Sequence, residues 1–458
     1  MSKSYDVIVI GTGQAGPYVA YRMAKAGMKV AVIERGLFGG TCVNTGCIPT
    51  KTMVASAYVA SLARRAAEFG VDVPDVRVDM KRVVARKDAI SGQSRDGVES
   101  GLRHLENCTV YQGHARFVTA HSITVGPEHL TGERIFINVG GRAAVPPMPG
   151  IDDVPFLTNS SIMKLEVAPP HLVIVGGSYV GLEFGQMFRR FGSDVTIVEM
   201  GPRLIGREDA DVSAAVLEIF EREGIRVRLN ATCIGFERRG SDIVTRVECA
   251  SGAPEVVGSH VLLAVGRQPN TDDLGLEHTG VERDAKGYIV VDDELRASVP
   301  GIWALGDCNG KGAFTHTAFN DAEIVVANLV ENDTRRVSDR IQTYGLFIDP
   351  PLGRAGLTEA EARKHSRRAL VATRPMSKVK RAVEKGESQG FMKVLVDGDT
   401  EQILGAAVLG PGGDEAVHAL LDVMYARASY KVIQRAMHIH PTVSELVPTM
   451  LGELKELK

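Results

Sequence analysis

The sequence predicts an α/β architecture in which one strand-turn-helix-strand unit occurs twice and is followed by a third domain of different type. Three observations carry this. An apolar strand, a glycine-rich turn, a helix and a second strand closing on an acidic residue appear in the same order at two places. From about Arg340 the pattern changes to amphipathic strands and helices without a glycine-rich turn. The 458 residues amount to about three domains of ordinary size.

The first unit runs from Asp6 to Ile10, through Gly11-Thr12-Gly13-Gln14-Ala15-Gly16, along a helix to about Ala26, and up the strand Lys29 to Ile33, ending at Glu34. The second runs from His171 to Val175, through Gly176-Gly177-Ser178-Tyr179-Val180-Gly181, along a helix to about Phe191, and from Asp194 to Val198, ending at Glu199. In both, 23 positions separate the first glycine from the acid (11 to 34, 176 to 199). Glycines let the backbone turn tightly and approach a pyrophosphate, the helix N-terminus offers unsatisfied N–H groups, and the carboxylate accepts ribose hydroxyls. Two such Rossmann-like units imply two dinucleotides. Ser178 departs from the pattern by replacing the middle glycine of the second copy.

Between the units, the stretches around Thr109 to Val118 and Ile135 to Val139 read as strands, and Pro146 to Gly150 reads as a linker. A domain boundary near residue 150 follows. In the last third, Gly390 to Val396 and Ile403 to Leu409 read as strands, and Asp414 to Arg427 and Lys431 to Met437 as helices.

A net charge of -3 with 24% charged residues gives no electrostatic reason to expect nucleic acid or an anionic membrane as partner. No apolar run approaches the roughly 20 residues of a membrane span, and no signal-peptide pattern precedes Val7 to Ile10, so a cytoplasmic protein is expected. Six cysteines are too few for a disulfide scaffold. Cys108, Cys233, Cys249 and Cys308 are scattered without metal-ligand spacing and read as buried small hydrophobes, and no metal site is expected.

Cys42 and Cys47 differ. They lie in Gly39-Gly40-Thr41-Cys42-Val43-Asn44-Thr45-Gly46-Cys47-Ile48-Pro49-Thr50-Lys51, leading into a long amphipathic helix that reaches about Phe69. Residues five apart on an ideal helix have Cα atoms roughly 8 to 9 Å apart, beyond the roughly 7 Å a disulfide tolerates. A bridge between them needs a distorted turn, which Gly46 can allow. A bridge strained in that way is easily reduced, and a helix N-terminus favours thiolate, so both effects suit a cycling disulfide.

The pattern Gly-Gly-Thr-Cys-x-Asn-x-Gly-Cys-x-Pro-x-Lys resembles the signature of the class I flavoprotein disulfide reductases, which include dihydrolipoamide dehydrogenase, glutathione reductase and mercuric reductase. The similarity extends over essentially the whole chain. It includes Val265-Gly266-Arg267-x-Pro269-Asn270, Gly306-Asp307 after the strand Gly301 to Leu305, and His440-Pro441-Thr442-Val443-Ser444-Glu445. The resemblance implies two Rossmann-like dinucleotide-binding domains plus a C-terminal α+β dimerisation domain. Their expected bounds are 1–150 for FAD, completed by 268–338, then 151–267 for NAD(P)H and 339–458 for dimerisation.

Residue by residue, the resemblance implies that Gly11, Gly13, Gly16, Glu34, Gly40, Thr41, Lys51, Gly306 and Asp307 bind FAD. It implies that Gly176, Tyr179, Gly181, Glu199 and Gly266 bind NAD(P)H, with Tyr179 covering the nicotinamide site. Lys51 and Glu183 resemble the ion pair beside the flavin. Cys47 is the expected charge-transfer thiolate and Cys42 the interchange thiol. His440, with Glu445 fixing its tautomer, is the expected acid-base group, acting across a homodimer interface on the other subunit's Cys42, while His438 is expected to be structural.

Glu199 would repel a 2'-phosphate, so NADH is favoured over NADPH, although Arg203 lies near. The basic residues Lys378, Lys380, Arg381 and Lys385 read as a solvated face. The expected activity is FAD-dependent NAD(P)H:disulfide oxidoreduction on a small or protein-bound disulfide, like that of dihydrolipoamide dehydrogenase. Mercuric-reductase-like metal-ion reduction is an alternative, although no cysteine follows Cys308 to supply the C-terminal pair of those enzymes. An NAD(P)H oxidase or transhydrogenase and a non-catalytic redox sensor are the others.

Overall fold

The computed structural model describes residues 2–248 and 253–457. Strand β1 (Lys3–Ile10) is followed by α1 (Ala15–Lys25), β2 (Val30–Glu34), α2 (Gly40–Asn44), α3 (Cys47–Arg64), α4 (Met80–Arg103), β3 (Cys108–Gln112), β4 (Ala115–Thr119), β5 (Ser122–Val125) and β6 (Glu128–Ile137). These strands form one sheet in the order β3-β2-β1-β6-β5-β4, and Ile302–Ala304 pairs in parallel with β6. The β3-β2-β1-β6 part is parallel and covered on both faces, which is why Val7 to Ile10 and Val30 to Ile33 are continuous apolar runs, all buried. The stretch Thr109 to Val118 is two strands at opposite edges of this sheet. Gly113, at φ +159°, turns the chain between them, and its N–H bonds Glu34 O at 2.8 Å.

A short strand β7 (Gly141–Ala143) and α5 (Asn159–Ile162) lead to β8 (His171–Val175), α6 (Tyr179–Phe191), β9 (Asp194–Val198), α7 (Ala210–Arg222) and β10 (Arg226–Arg228). Next come β11 (Thr232–Arg239), β12 (Asp242–Glu248), β13 (Glu255–Gly258) and β14 (His260–Leu263). The order β10-β9-β8-β14 makes a parallel sheet, and β11-β12-β13 an antiparallel one. Helix α6 buries Leu182, Phe184, Met187, Phe188 and Phe191, each contributing roughly 1.5–3 kcal/mol. The strand β15 (Arg267–Pro269) pairs with β7 and returns the chain to the first sheet, where β16 (Ile302–Ala304) and α8 (Thr315–Val330) lie.

The remaining chain forms β17 (Thr343–Leu346), β18 (Leu352–Gly356), α9 (Glu359–His365), β19 (Ala369–Pro375), α10 (Lys380–Glu384), β20 (Phe391–Asp397), β21 (Ile403–Leu409), α11 (Gly413–Ala416), α12 (His418–Tyr425), α13 (Lys431–Gln434), α14 (Val447–Leu451) and β22 (Lys455–Glu456). Its six strands form an antiparallel sheet in the order β17-β18-β21-β20-β19-β22. The helix expected over Asp414 to Arg427 is broken at Val417 into α11 and α12. The one expected to reach Met437 stops at Gln434, where Arg435 N still bonds Lys431 O but Ala436 N tightens to Ile433 O, three residues back, and closes the helix. Helix α3 ends at Arg64, and a single 3-10 turn covers Ala66–Phe69.

Among the scattered cysteines, Cys308 is fully buried and Cys108, on β3, is only half-buried. Burial pushes their thiols up, to about 12 and about 11 respectively. Cys249 and the side chain of Cys233 lie outside the described residues. Lys378, Lys380 and Arg381 are exposed and Lys385 half-exposed, with Arg381 and Lys385 paired to Glu384 and Glu387.

The third sheet is bonded to the second unit through buried charge. The Lys393 ammonium, on β20, lies 2.9 Å from Asp209, 2.7 Å from Asp211 and 2.7 Å from Glu359. Arg354, on β18, reaches Asp209 at 3.1 Å. The three carboxylates around Lys393 are close enough together to hold a metal ion, but the ammonium occupies their centre. Lys393→Ala removes that positive charge and leaves the carboxylates facing one another. It is expected to cost about 3–5 kcal/mol, read as a lower urea midpoint of the holoenzyme at unchanged slope.

Candidate active site

The site is assembled where the two glycine-rich turns, the cysteine segment and the start of the third domain converge. Gly11, at φ +100°, has its Cα against Asn138 O, where a side chain would leave only 2.3 Å. Gly16 likewise packs on Gly11 O. The Asn138 amide holds the turn from the other side, donating to Gly13 O at 3.1 Å and to Gly11 O at 3.4 Å. The second turn repeats the arrangement, with Gly176 against Ala264 O and Gly181 against Gly176 O.

Both acids bind their own loops. Glu34 accepts from Thr12 N (2.9 Å), Thr12 Oγ1 (2.6 Å) and Gly36 N (2.8 Å), and Glu199 accepts from Gly177 N (2.6 Å) and Gly201 N (2.7 Å). Neither α1 nor α6 has a side-chain cap or an acidic residue in its first turn, so their leading N–H groups face the loops unclaimed by side chains. That combination suits the pyrophosphates of two dinucleotides.

The two cysteines lie on different helices. α2 ends at Asn44, Thr45 and Gly46 break the helical path, and Cys47 opens α3. Gly46 adopts φ -136°, ψ -119°, and a side chain there would meet Thr41 O at 2.9 Å. Asn44 ties the break down by donating to Phe38 O (2.8 Å) and Gly40 O (3.0 Å). Cys47 Sγ lies 2.9 Å from Thr315 Oγ1, at the first turn of α8. The hydrogen bond from Cys42, working against burial and aided by the Thr315 hydroxyl and the Lys51 ammonium, pulls Cys47 down to about 6. The same bond, with burial, pushes Cys42 far above the ordinary thiol range.

Lys51 follows Cys47 by one helical turn. Its ammonium is 2.5 Å from Glu183 Oε2 and 4.6 Å from the centre of the Phe347 ring, and Glu183 Oε1 accepts from Phe347 N at 3.0 Å. The Tyr179 ring packs edge-on against Phe314 and Tyr344, with centroids 5.6 and 5.4 Å away, and burial raises its phenol. Asp307 is raised by burial, which outweighs Arg267 at 3.4 Å; Arg267 also reaches Thr41 Oγ1 at 3.3 Å and Gly141 O. Gly306 N donates to Asp321, and Gly266 stands at φ +116° with open space where a side chain would be.

The C-terminal histidine stands apart. His440 Nδ1 is 2.7 Å from Glu445 Oε2, its side chain is 76% exposed, and no hydrogen bond joins it to either cysteine of its own chain among the described residues. Met437 and Ile439 beside it are 98% and 80% exposed. Such an apolar, histidine-bearing edge fits burial against another protein surface. His438 instead bonds Ser444 O at 2.9 Å and supports the turn.

The pyridine nucleotide-disulphide oxidoreductase family matches residues 5–322, and the dimerisation domain of the same family matches residues 343–451. The chain belongs to the class I pyridine nucleotide-disulfide oxidoreductases. The probable pyridine nucleotide-disulfide oxidoreductase RclA of Escherichia coli is 34% identical over 98% of this chain and 99% of its own. The dihydrolipoyl dehydrogenase of Thermus scotoductus is 32% identical over 97% and 96%, and the mercuric reductase of Streptomyces lividans 31% over 96% and 94%. A solved Cu(II) complex of RclA, described as an HOCl-induced flavoprotein disulfide reductase, superposes with a TM-score of 0.90 at 33% identity, covering 99% of this chain and all of that one.

The oxidoreductase is therefore an enzyme of a family that uses FAD and a pyridine nucleotide, and its dimerisation domain supports a homodimer. The glycine turns and the two uncapped helix N-termini fit those cofactors. No helix among the described residues is long and apolar enough to cross a membrane.

Arg267 belongs to the Val265 to Asn270 segment that carries the resemblance, whereas Thr315, Asn138 and Phe347 join the site without having been singled out in the sequence. Only Thr315 carries a local signal, a hydroxyl residue opening a helix. Because the hydroxyl donates to the thiolate, Thr315→Val is expected to move the pH midpoint of Cys47 alkylation by iodoacetamide from near 6 towards the ordinary thiol value of about 8.5. Peptide mass spectrometry across a pH series reads it, and an unchanged midpoint would show that the hydroxyl does not stabilise the thiolate.

Proposed function

We propose that the chain is an NADH-dependent disulfide reductase of the cytoplasm, in which Cys42 and Cys47 cycle between dithiol and disulfide against a small or protein-bound disulfide, as in dihydrolipoamide dehydrogenase. The observation that carries this reading is the split between the two thiols: a stabilised thiolate at Cys47 beside Lys51 and Thr315, and a protonated partner at Cys42. The net reaction is NADH + H+ + R–S–S–R → NAD+ + 2 R–SH, or its reverse. FAD, when bound, supplies two-electron transfer between the nicotinamide and the cysteine pair.

In this assignment residues 1–150 and 268–338 hold FAD, residues 151–267 hold the nicotinamide nucleotide, and residues 339–458 dimerise. Gly11, Gly13, Gly16, Glu34, Gly40, Thr41, Lys51, Gly306 and Asp307 line the FAD side. Gly176, Tyr179, Gly181, Glu199 and Gly266 line the other, with Tyr179 over the nicotinamide. The Lys51 charge, held by Glu183, favours anionic species beside it.

Cys42 attacks the substrate disulfide to form a mixed disulfide and release one thiol. Cys47 then attacks Cys42, expels the second thiol and restores the Cys42–Cys47 bridge. Because Cys42 is the thiol that keeps the proton of the pair, attack needs a base. His440 of the other subunit, oriented by Glu445, takes that proton and returns it to the leaving thiolate. Glu199 sets the NADH preference, since its fixed carboxylate accepts hydroxyls and repels a 2'-phosphate, while Arg203 is turned to Gly206 O at 3.0 Å.

A second reading is reduction of a metal ion by the same cysteine pair. It is favoured by the Cu(II) complexes in which RclA and a cysteine-to-serine variant of it were solved, and by the mercuric reductases among the relatives.

Anaerobic titration with NADH tests the circuit. A long-wavelength thiolate-to-flavin band after two electrons is the expected result, and bleaching without it would favour an oxidase, a transhydrogenase or a sensor. Lipoamide, glutathione disulfide and Cu(II) offered to the reduced enzyme then separate the two readings by which is consumed stoichiometrically. kcat/KM is expected to be at least about tenfold higher with NADH than with NADPH, and equal values would overturn the role given to Glu199. His440→Gln is expected to lower disulfide turnover by about 10²- to 10⁴-fold while NADH still reduces the cysteine pair. Loss of both half-reactions would point to a folding defect instead.

A further inference from the structure

The third domain sends one aromatic side chain to the nicotinamide side. Tyr344, on β17, stacks on Phe314 with centroids 5.6 Å apart and planes at 14°, and Phe314 stacks in turn on His316 at 5.3 Å and 11°. Tyr179 stands edge-on to both Tyr344 and Phe314, at 83° and 89°. The Tyr179 ring therefore rests on a short aromatic column rather than facing open solvent on that side.

The column is anchored at both ends. His316 Nε2 is 2.7 Å from Thr343 O. The Tyr344 hydroxyl donates to Glu208 Oε1, and Glu208 is only 2% exposed. Glu208 is held in turn, with Arg354 3.5 Å from its second oxygen, and Arg354 is locked to Asp209, which binds Lys393. An acceptor fixed by buried charges on two domains cannot follow Tyr344 if that ring moves, so the ring stays put.

We propose that Tyr344, anchored by Glu208, is a positioning residue that holds Tyr179 in its resting place and so sets how readily NADH displaces it. This rests on the reading of Tyr179 as the residue covering the nicotinamide site. If binding requires Tyr179 to leave the column, the contact with Tyr344 favours the state that excludes nucleotide, and apparent affinity is lowered by the fraction of enzyme in the open state. An edge-to-face aromatic contact is strong enough for its loss to change that fraction by about 3- to 10-fold.

The test is anaerobic stopped-flow reduction of the FAD-loaded dimer by NADH, giving a half-saturating concentration and a limiting rate for each variant. Tyr344→Ala is expected to lower the half-saturating NADH concentration by about 3- to 10-fold with the limiting rate unchanged within about twofold. Tyr344→Phe, which keeps the ring but loses the hydroxyl's bonds to Glu208 and to Tyr179, is expected to shift it less and in the same direction. In a Tyr179→Ala background the Tyr344→Ala effect is expected to vanish, because there is no ring left to hold.

An unchanged or raised half-saturation in Tyr344→Ala, or the same shift with and without Tyr179, overturns the proposal. Should Tyr179→Ala alone leave NADH saturation untouched, the reading of Tyr179 as the nicotinamide cover is what fails. If Tyr344→Ala does not retain FAD, the Tyr344→Phe variant carries the test, and an unchanged half-saturation there overturns the proposal.

Discussion

The Glu183 carboxylate is the point at which three parts of the chain are fixed to one another. One oxygen accepts from Lys51 on α3 and the other from Phe347 N at the start of the third sheet, while Glu183 itself lies on α6 of the second unit. Its side chain is 8% exposed, so an unpartnered charge there would be costly, and each of its two partners is needed. The same helix face continues the attachment. Gln186 exchanges hydrogen bonds with the backbone of Asp349, and Arg190 reaches the Asp349 carboxylate at 2.7 Å. Positions 183, 186 and 190 share one side of α6, so residues 347 to 349 are fastened along it. That placement puts the Phe347 ring over Lys51, and Lys51, one turn after Cys47, fixes the rotation of α3 and the direction of its first sulfur.

The duplicated unit shows one solution used twice with one difference. Both turns pack a glycine against a carbonyl of the neighbouring strand's end, and both acids bind the backbone of the loop they close. The difference lies at the middle position. In the first copy the cysteine segment comes down on the turn, so that a side chain on Gly40 would lie 2.7 Å from Gly13 Cα. Among the described residues the second turn is met one position earlier, where Ile205 N donates to Gly177 O and Leu204 lies alongside, and Ser178 is exposed. The serine that breaks the glycine pattern is tolerated because the segment packed on the second turn meets Gly177 and leaves position 178 open.

Features that depend on near neighbours in the chain were legible in the sequence. The two turns, their acids, the Cys42–Cys47 segment and the need for a break at Gly46 all follow from spacing over fewer than thirty residues, and the repeated pattern names its own chemistry. Thr315, Phe347 and Tyr344 were not legible, because they enter the site from distant parts of the chain and each is ordinary in its own local context. Boundaries suffered for a related reason. Thr109 to Val118 alternates as one strand would, and only Gly113 marks that its halves serve opposite edges of the sheet. The helix expected through Met437 follows apolar spacing, but its last turn tightens at Ala436, whose N bonds Ile433 O, and the helix ends at Gln434.

The opposed protonation of two adjacent thiols orders the chemistry that the site can perform. A proton shared between two sulfurs settles on the one with less support for negative charge. Cys47 has the helix N-terminus, the Thr315 hydroxyl and the Lys51 ammonium, whereas Cys42, on the short helix before the break, has only partial help. The well-supported thiolate lies against the Thr315 hydroxyl, and a stabilised thiolate is a good leaving group but a modest nucleophile. In the proposed cycle, closing the bridge needs Cys47 to attack, and opening it needs Cys47 to leave. The sulfur that meets substrate, by contrast, must acquire its charge only when a base is in place. In the proposed assignment that base is His440, which no hydrogen bond ties to the pair within its own chain among the described residues and which stands on an exposed edge of the dimerisation domain, so activation would be conditional on assembly of the dimer.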